Sequence, residues 1–264
     1  MDAQIQVRNA SKVFSSNGSE ITALQDINLD IHSGQFVCLL GPSGCGKSTL
    51  LNAIAGFSPP SSGTVKVDGK VVQSPGADRG MVFQEYALFP WMTVGENVGF
   101  GLEIKKTPKA RIKEKVDMLL SKLRLQDFRD RFPKDLSGGM QQRVAIARVL
   151  ALDSPILLMD EPFGALDSLT RRNLQDELLR VWTEYGKTII FVTHSIEESV
   201  YLADRTIVMT YRPGTIKKDF SITLPRQRDP AAPEFNELKK ELAGLVIEEQ
   251  RRYNQSDTWA HALN

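Results

Sequence analysis

The stretch Gly41-Pro42-Ser43-Gly44-Cys45-Gly46-Lys47-Ser48-Thr49 constrains this chain more than any other. An apolar run, Phe36-Val37-Cys38-Leu39-Leu40, precedes it, and Leu50 to Gly56 reads as a helix behind it. Strand, glycine-rich loop and helix in that order are the setting of a phosphate-binding P-loop. Glycines let the backbone wrap until several N–H groups face inward and can hold phosphate oxygens. The helix start adds its partial positive charge. Lys47 is long enough to reach β and γ phosphates, and the Ser48 hydroxyl suits Mg²⁺. The competing reading, a flexible turn before a surface helix, leaves the apolar run and the complete spacing unexplained. The stretch therefore predicts nucleotide binding but not the kind of nucleotide enzyme.

Composition narrows the rest. The chain has 264 residues, 41% hydrophobic and 25% charged, as expected for a soluble α/β chain of one domain or a domain with a subdomain. Lys+Arg 33 against Asp+Glu 32 leaves a net charge of +1, which provides no field for nucleic acid. Cys38 and Cys45 lie in or beside the loop and cannot form a disulfide framework, so a reducing compartment is expected. The start, MDAQIQVRNASKVF, has neither a basic opening nor an apolar core, so no signal peptide is expected. No apolar run approaches the ~18–20 residues that span a bilayer. A membrane role is expected only through a partner.

Along the chain, residues 4–8, Val13-Phe14 and Ile21 to Ile31 alternate around an Asn17-Gly18 turn, predicting an antiparallel hairpin. Phe14 is a candidate to stack on adenine, with a plain core role as the even alternative. Asp68-Gly69 between Val65–Val67 and Val71-Val72 predicts a second hairpin, and Gly80 to Gln84 a buried strand ending in a polar residue. Tyr86, Phe89, Trp91 and Phe100 follow in what reads as an irregular segment, either a grip on a partner or a small local core. Ile112, Val116, Leu119, Leu120 and Leu123 recur at helical spacing between Pro108 and Leu125, with their cations on a solvated face. Leu136-Ser137-Gly138-Gly139-Met140 then leads into a helix from Gln141 to Leu152. Ser137 suits the cap of that helix, which makes either a second anion-binding helix start or a plain capped one.

Pro155 to Met159 is a continuous apolar run ending in Asp160 and Glu161, the pattern of a buried parallel strand. Sites in open α/β sheets lie beyond the carboxyl ends of strands, so these acids should emerge where the P-loop emerges. Asp160 suits Mg²⁺, and Glu161 a general base or water-positioning role. Thr188 to Thr193 is a further buried strand with His194 at its tip, where a γ-phosphate contact is favoured over the structural role a lone histidine usually has. A helix over 197–203, a strand over 206–209, weak alternation over 214–224, a charged proline-containing linker over 225–233 and an amphipathic helix over 234–252 complete the reading. No second P-loop occurs.

Together these motifs resemble the ATPase subunit of an ABC transporter, from about Ile5 to Met209. Walker A is GPSGCGKST, the Q-loop Val82-Phe83-Gln84, the signature LSGGM and Walker B ILLMDE. The D-loop is Gly164-Ala165-Leu166-Asp167, and His194 is the switch histidine. The resemblance implies an α/β P-loop NTPase with a mixed central sheet, an antiparallel β-subdomain and a helical subdomain carrying the signature. It implies an ATPase domain over 1–225, its helical part about 88–152, then a linker and helix over 226–264. ATP and Mg²⁺ are the implied cofactors, with Ser48, Gln84 and Asp160 at the metal and Gly41 to Thr49 and Phe14 at the nucleotide.

Glu161 and His194 then serve hydrolysis, with Lys47, and Gln84 links the site to a membrane partner. Ser137, Gly138 and Gly139 meet the ATP of a second copy, and Asp167 helps the two copies communicate. The signature departs from the family's pattern at Met140, where glutamine is usual, while its Ser-Gly-Gly core is intact. Ala87 to Val94, Arg212-Pro213-Gly214 and Leu224-Pro225-Arg226 are similar to importers of nitrate, sulfonates, taurine or bicarbonate, and the sequence ends without the long β-rich extension of sugar importers. The implied partners are a second copy, transmembrane permease subunits and, through them, a periplasmic solute-binding protein, at the cytoplasmic face of the plasma membrane. No nucleic acid partner is implied. The alternatives are a soluble ABC ATPase acting on DNA or ribosomes, an importer subunit for another cargo, and a small-molecule kinase. The last would leave LSGGM and His194 unused.

Overall fold

The computed structural model describes residues 3–16, 19–164 and 166–261, with side chains described as far as Tyr253 in the last helix. The turn expected at Asn17-Gly18, and Ala165 of the D-loop, lie outside the described residues. In chain order the first elements are β1 (Ile5–Ser16), β2 (Ser19–Ile31), β3 (Phe36–Leu40), α1 (Lys47–Ala55), β4 (Ser62–Val67), β5 (Lys70–Val71) and β6 (Arg79–Val82). Next come α2 (Val94–Ile104), α3 (Lys109–Lys122), α4 (Gly138–Ala151), β7 (Ile156–Asp160) and α5 (Ser168–Tyr185). The chain continues through β8 (Thr188–Thr193), α6 (Ile196–Leu202), β9 (Arg205–Met209), β10 (Ile216–Ser221) and α7 (Pro233–His261). Two compact units result: Met1–Pro75 with Thr188–Asn264, and Gly76–Lys187.

The first unit holds an antiparallel sheet in the order β2-β1-β4-β5. Alternation builds it: Ile5 and Val7 are buried while Gln6 between them is not. Asp68 and Gly69 both take positive φ, 46° and 76°, the backbone of a two-residue hairpin turn. The unit also holds a mixed sheet, in which β3 lies parallel to β8 and β9 and β10 runs antiparallel to β9. Every residue of β3 and β8 is buried, as expected of strands covered on both faces. Behind β3, α1 buries Leu50, Leu51 and Ile54 completely, each contributing about 1.5–3 kcal/mol. It stops at Gly56, whose φ of 87° turns its N–H back to the carbonyls of Asn52 and Ala53.

The stretch 225–233 is bound to this unit through Arg226 and Arg228. Arg228, 6% exposed, donates to the carbonyls of Val200 at 2.6 Å and Ala203 at 2.8 Å, and Arg226 pairs with Asp204 at 2.7 Å. Cations meeting the last carbonyls of α6 offset its unpaired end. Burial pulls the Arg228 guanidinium down to about 10, which still leaves it charged at neutral pH. The helix expected over 234–252 runs on to His261.

In the second unit β6 and β7 pair in parallel, and α2, α3 and α4 pack together. Three elements depart from expectation. The segment read as irregular around Phe100 contains α2, opened by a capping box in which the Thr93 side chain accepts from Glu96 N and Glu96 receives Thr93 N. Its glycines hid it: a Cβ on Gly99 would lie 3.0 Å from Ile112, and one on Gly101 2.6 Å from Leu152, so close helix packing selects residues of poor helix propensity. The signature helix α4 begins at Gly138, ahead of the expected Gln141, because Ser137 already caps it. Finally, α5 occupies residues that carry no motif and bury only a narrow stripe led by Leu174, Leu178 and Val181.

Candidate functional site

In the first unit, Leu40 stands opposite Thr193 in the parallel pair β3–β8. The P-loop from Gly41 and the imidazole-bearing His194 therefore leave neighbouring strand ends on one edge of the sheet. Gly44 and Gly46 take φ of 76° and 96°, which turns successive N–H groups to one side of the loop. A Cβ on Gly46 would lie 2.7 Å from Leu24 Cδ2 and 2.8 Å from Ala23 O, so no larger residue fits. The helix start matters equally. α2, α4, α5 and α6 are capped by the side chains of Thr93, Ser137, Asp167 and Ser195. α1 starts at Lys47 behind Gly46 and, like α3, has no side-chain cap and no acid in its first turn, but only α1 follows a glycine-rich loop. Its leading N–H groups are thus offered to an anion, and the loop fits a polyphosphate.

Lys47 is buried, and its ammonium donates to the carbonyls of Gly41 at 2.8 Å and Pro42 at 2.9 Å, which folds it back across the loop. Pro42 is buried, while Ser43 and Ser48 are exposed and Thr49 is half-buried. Burial pushes the Cys45 thiol up, so it fills space as an uncharged group beneath the loop. The backbone around His194 is fixed by its neighbours. Thr193 Oγ1 donates to Glu198 Oε2 at 2.5 Å and accepts from Ser195 N at 2.9 Å, while His194 itself is exposed. Phe14 is not a core residue: its ring is 45% exposed, with the Lys12 ammonium 5.3 Å from its centroid. An open aromatic face of this kind can take a purine.

The second unit repeats the arrangement. Val82 stands opposite Met159 in the pair β6–β7, so Phe83-Gln84 and Asp160-Glu161 leave neighbouring strand ends. Gln84 sits just past the strand rather than in it, exposed on a loop. Asp160 and Glu161 are half-buried, and Glu161 holds a φ of 43°. Ser137 Oγ accepts from Met140 N, so the residue that departs from the usual signature uses its backbone there, and Gln141 instead donates to the carbonyl of Pro133 at 2.9 Å. A Cβ on Gly138 would stand 3.3 Å from the Tyr86 hydroxyl, and one on Gly139 2.6 Å from Thr170 Cγ2. Packing therefore demands glycine at position 139, while at 138 the fit is only tight. Asp167 caps α5 through Leu169 N and Thr170 N, and the Thr170 contact first among them holds its carboxyl below the usual range.

One residue that the motifs did not single out ties this unit together. Arg148 of α4 donates to the carbonyls of Ala87 at 2.7 Å and Tyr86 at 3.1 Å and lies 5.7 Å from the Phe89 ring. Phe89 in turn touches Phe100 and Trp91, while Trp91 is 71% exposed. The aromatic segment is thus both a small core and an open surface. The only signal for Arg148 in sequence is a cation on the buried side of a helix.

The model of the ABC transporter family matches residues 24–164, a span that takes in the P-loop, the signature and Walker B. This chain belongs to the ABC transporter family. An uncharacterised ABC transporter ATP-binding protein of Methanocaldococcus jannaschii is 51% identical over 249 residues, covering 94% of this chain and 93% of that one. A taurine import ATP-binding protein of Jannaschia sp. is 47% identical over 92% of this chain and 93% of its own. A nitrate import ATP-binding protein of Synechocystis sp. is 45% identical over 90% and 89%. Among solved structures, the dimeric post-hydrolysis state of an ATP-binding cassette bound to ADP and Pi matches with a TM-score of 0.75 at 34% identity, covering 84% of this chain and all of that one. The α/β fold with one mixed and one antiparallel sheet is the cassette fold, and the chain is an ABC-type ATPase.

Proposed function

We propose that the chain is the ATP-hydrolysing subunit of an importer for a small anion such as nitrate, an aliphatic sulfonate, taurine or bicarbonate. Two copies close around two ATP and drive permease subunits that receive cargo from a solute-binding protein. The subunit then works at the inner face of the membrane; among the described residues no helix is long and apolar enough to cross one. The observation that carries this reading is the uncapped start of α1 behind its P-loop, on a chain that also carries the Ser137-Gly138-Gly139 turn at the start of α4. Kinship with the taurine and nitrate import proteins supplies the cargo class.

In this mechanism the N–H groups of Gly41 to Thr49 and the Lys47 ammonium hold the β and γ phosphates, and Phe14 stacks on adenine. Ser137, Gly138 and Gly139 of the other copy close on the γ-phosphate, and Asp167 senses that closure. Glu161 takes the proton of the attacking water, and His194 donates to the γ-phosphate. Ser48, Gln84 and Asp160 offer only oxygen ligands, the chemistry Mg²⁺ prefers. Bound there, Mg²⁺ would neutralise phosphate charge.

Trp91 is the exposed anchor for the permease. Co-purification with the permease, followed by cargo-stimulated ATPase assays, tests the assignment. Trp91→Ala should abolish most cargo-coupled turnover while the free subunit hydrolyses ATP as before; unchanged coupling would remove Trp91 from the interface.

A further inference from the structure

The C-terminal helix reaches the nucleotide loop through one turn of chain, and no motif accounts for that contact. Glu249 of α7 has no exposed surface, yet it is a carboxylate. It accepts from Tyr211 N at 3.0 Å and from Lys217 Nζ at 2.7 Å, and it pairs with the exposed Arg252 guanidinium at 3.3 Å. Tyr253, one helical turn on, meets the Tyr211 ring edge-on at 5.0 Å. The turn that α7 grips, Tyr211 to Gly214, lies against the P-loop. Arg212 Nε donates to Gly44 O at 3.3 Å. Gly214 exchanges backbone hydrogen bonds with Ala23 and Gln25, and a Cβ on it would stand 2.2 Å from Cys45 O.

A buried carboxylate with two donors holds them firmly, since each would be left unpaired or uncompensated without it. The Gly44 carbonyl that Arg212 takes lies at the apex of the cradle, beside the left-handed residue that turns the N–H groups inward. The peptide that carries this carbonyl also carries Cys45 N, which donates to the Pro42 carbonyl at 3.4 Å, so whatever fixes the carbonyl fixes the turn of the loop.

We propose that α7 is a latch on the nucleotide loop, in which Glu249 holds the 211–214 turn and Arg212 acts from that turn as a positioning residue for the P-loop apex. The latch lowers the cost of ordering the loop around phosphate, so releasing α7 weakens nucleotide binding without touching a phosphate ligand. The inference rests on the reading of Gly41 to Thr49 as the nucleotide loop.

The test uses the full-length chain, a fluorescent ATP analogue with Mg²⁺, and amide hydrogen exchange across residues 41–49 measured without nucleotide. Arg212 is exposed, so its replacement leaves the core intact. Arg212→Ala should weaken binding about fivefold and raise exchange over the loop, the effect of losing one ordinary, solvent-exposed hydrogen bond. Arg212→Lys should restore part of both, because an ammonium can still donate to the Gly44 carbonyl. Glu249→Gln should raise exchange over 210–214 and over 41–49 together. If Arg212→Ala binds like the parent and exchange over 41–49 is unchanged in both variants, while Lys47→Ala loses the nucleotide, the latch is overturned and the loop assignment stands. If Lys47→Ala binds like the parent, the loop assignment falls and the latch falls with it.

Discussion

The strand ends in the two units carry different backbones. In the first unit, left-handed residues within Gly41 to Thr49 are Gly44 and Gly46, where that conformation costs little. In the second, Tyr86, Ala87 and Glu161 take φ of 58°, 47° and 43° with full side chains. Each such residue stores on the order of 1–3 kcal/mol, held only because its surroundings over-determine it. Part of that hold is visible: Arg148 takes the carbonyls of both Tyr86 and Ala87. The phosphate cradle is therefore built relaxed and ready, while the segment beside Gln84 and the turn at Glu161 are built under tension. A relaxed cradle suits binding, and a tensioned one suits parts that must change during turnover.

The largest test of this division is Glu161→Gln. It should leave the affinity for ATP within about twofold while turnover falls by about 10²–10⁴, the usual share of a general base, and a closed dimer should accumulate on size-exclusion chromatography. Unimpaired phosphate release would remove Glu161 from the chemistry and leave its strained backbone without a purpose. The converse change is Gly46→Ala in the first unit. The new methyl would meet Leu24 and the Ala23 carbonyl inside 3 Å at a φ that L-residues avoid. A loss of ~3 kcal/mol or more in urea unfolding should follow, together with loss of nucleotide binding. A mild effect would mean that the cradle is more plastic than its contacts indicate.

These residues also mark what a sequence reveals. The nine residues of the P-loop, the acids at the end of β7 and His194 after β8 were all readable, because each follows a run of apolar residues whose burial on both faces leaves little choice of structure. Ser137 was readable as a cap because capping is local chemistry. By contrast, α2 was not readable: Gly99 and Gly101 lower its propensity, and the side chains that require them, Ile112 of α3 and Leu152 just past α4, belong to later elements. Arg148 was invisible for the same reason. Its partners are carbonyls some 61 and 62 residues earlier, which no local pattern encodes. The strain at Tyr86 and Ala87 was hidden too, since neither residue type favours a left-handed backbone.

Arg148→Ala sharpens the comparison at intermediate cost. Removing it leaves the Tyr86 and Ala87 carbonyls without their shared donor, and burial already penalises this guanidinium by lowering its proton affinity. The loss should be about 1.5–3 kcal/mol in stability, with new proteolytic cleavage between Gln84 and Leu88. Stability lost without any local opening would mean that the arginine supports α4 and not the strained segment.

The smallest effect is expected at Ala87→Gly, and it tests the strain itself. Glycine adopts the observed φ of 47° freely, so the folded state is relieved, while the unfolded chain gains freedom and offsets part of that relief. Ala87 is exposed and contributes almost no buried methyl, so little packing is lost in exchange. The net result should be a gain of about 0.5–1 kcal/mol in chemical unfolding, opposite in sign to the usual cost of alanine to glycine. If tension in this segment is used to return Gln84 to its resting position, the same variant should hydrolyse ATP more slowly in the assembled transporter although it is the more stable protein. A destabilised Ala87→Gly would show that the left-handed backbone at this position is unstrained, and the contrast between the two units would then rest on Tyr86 and Glu161 alone.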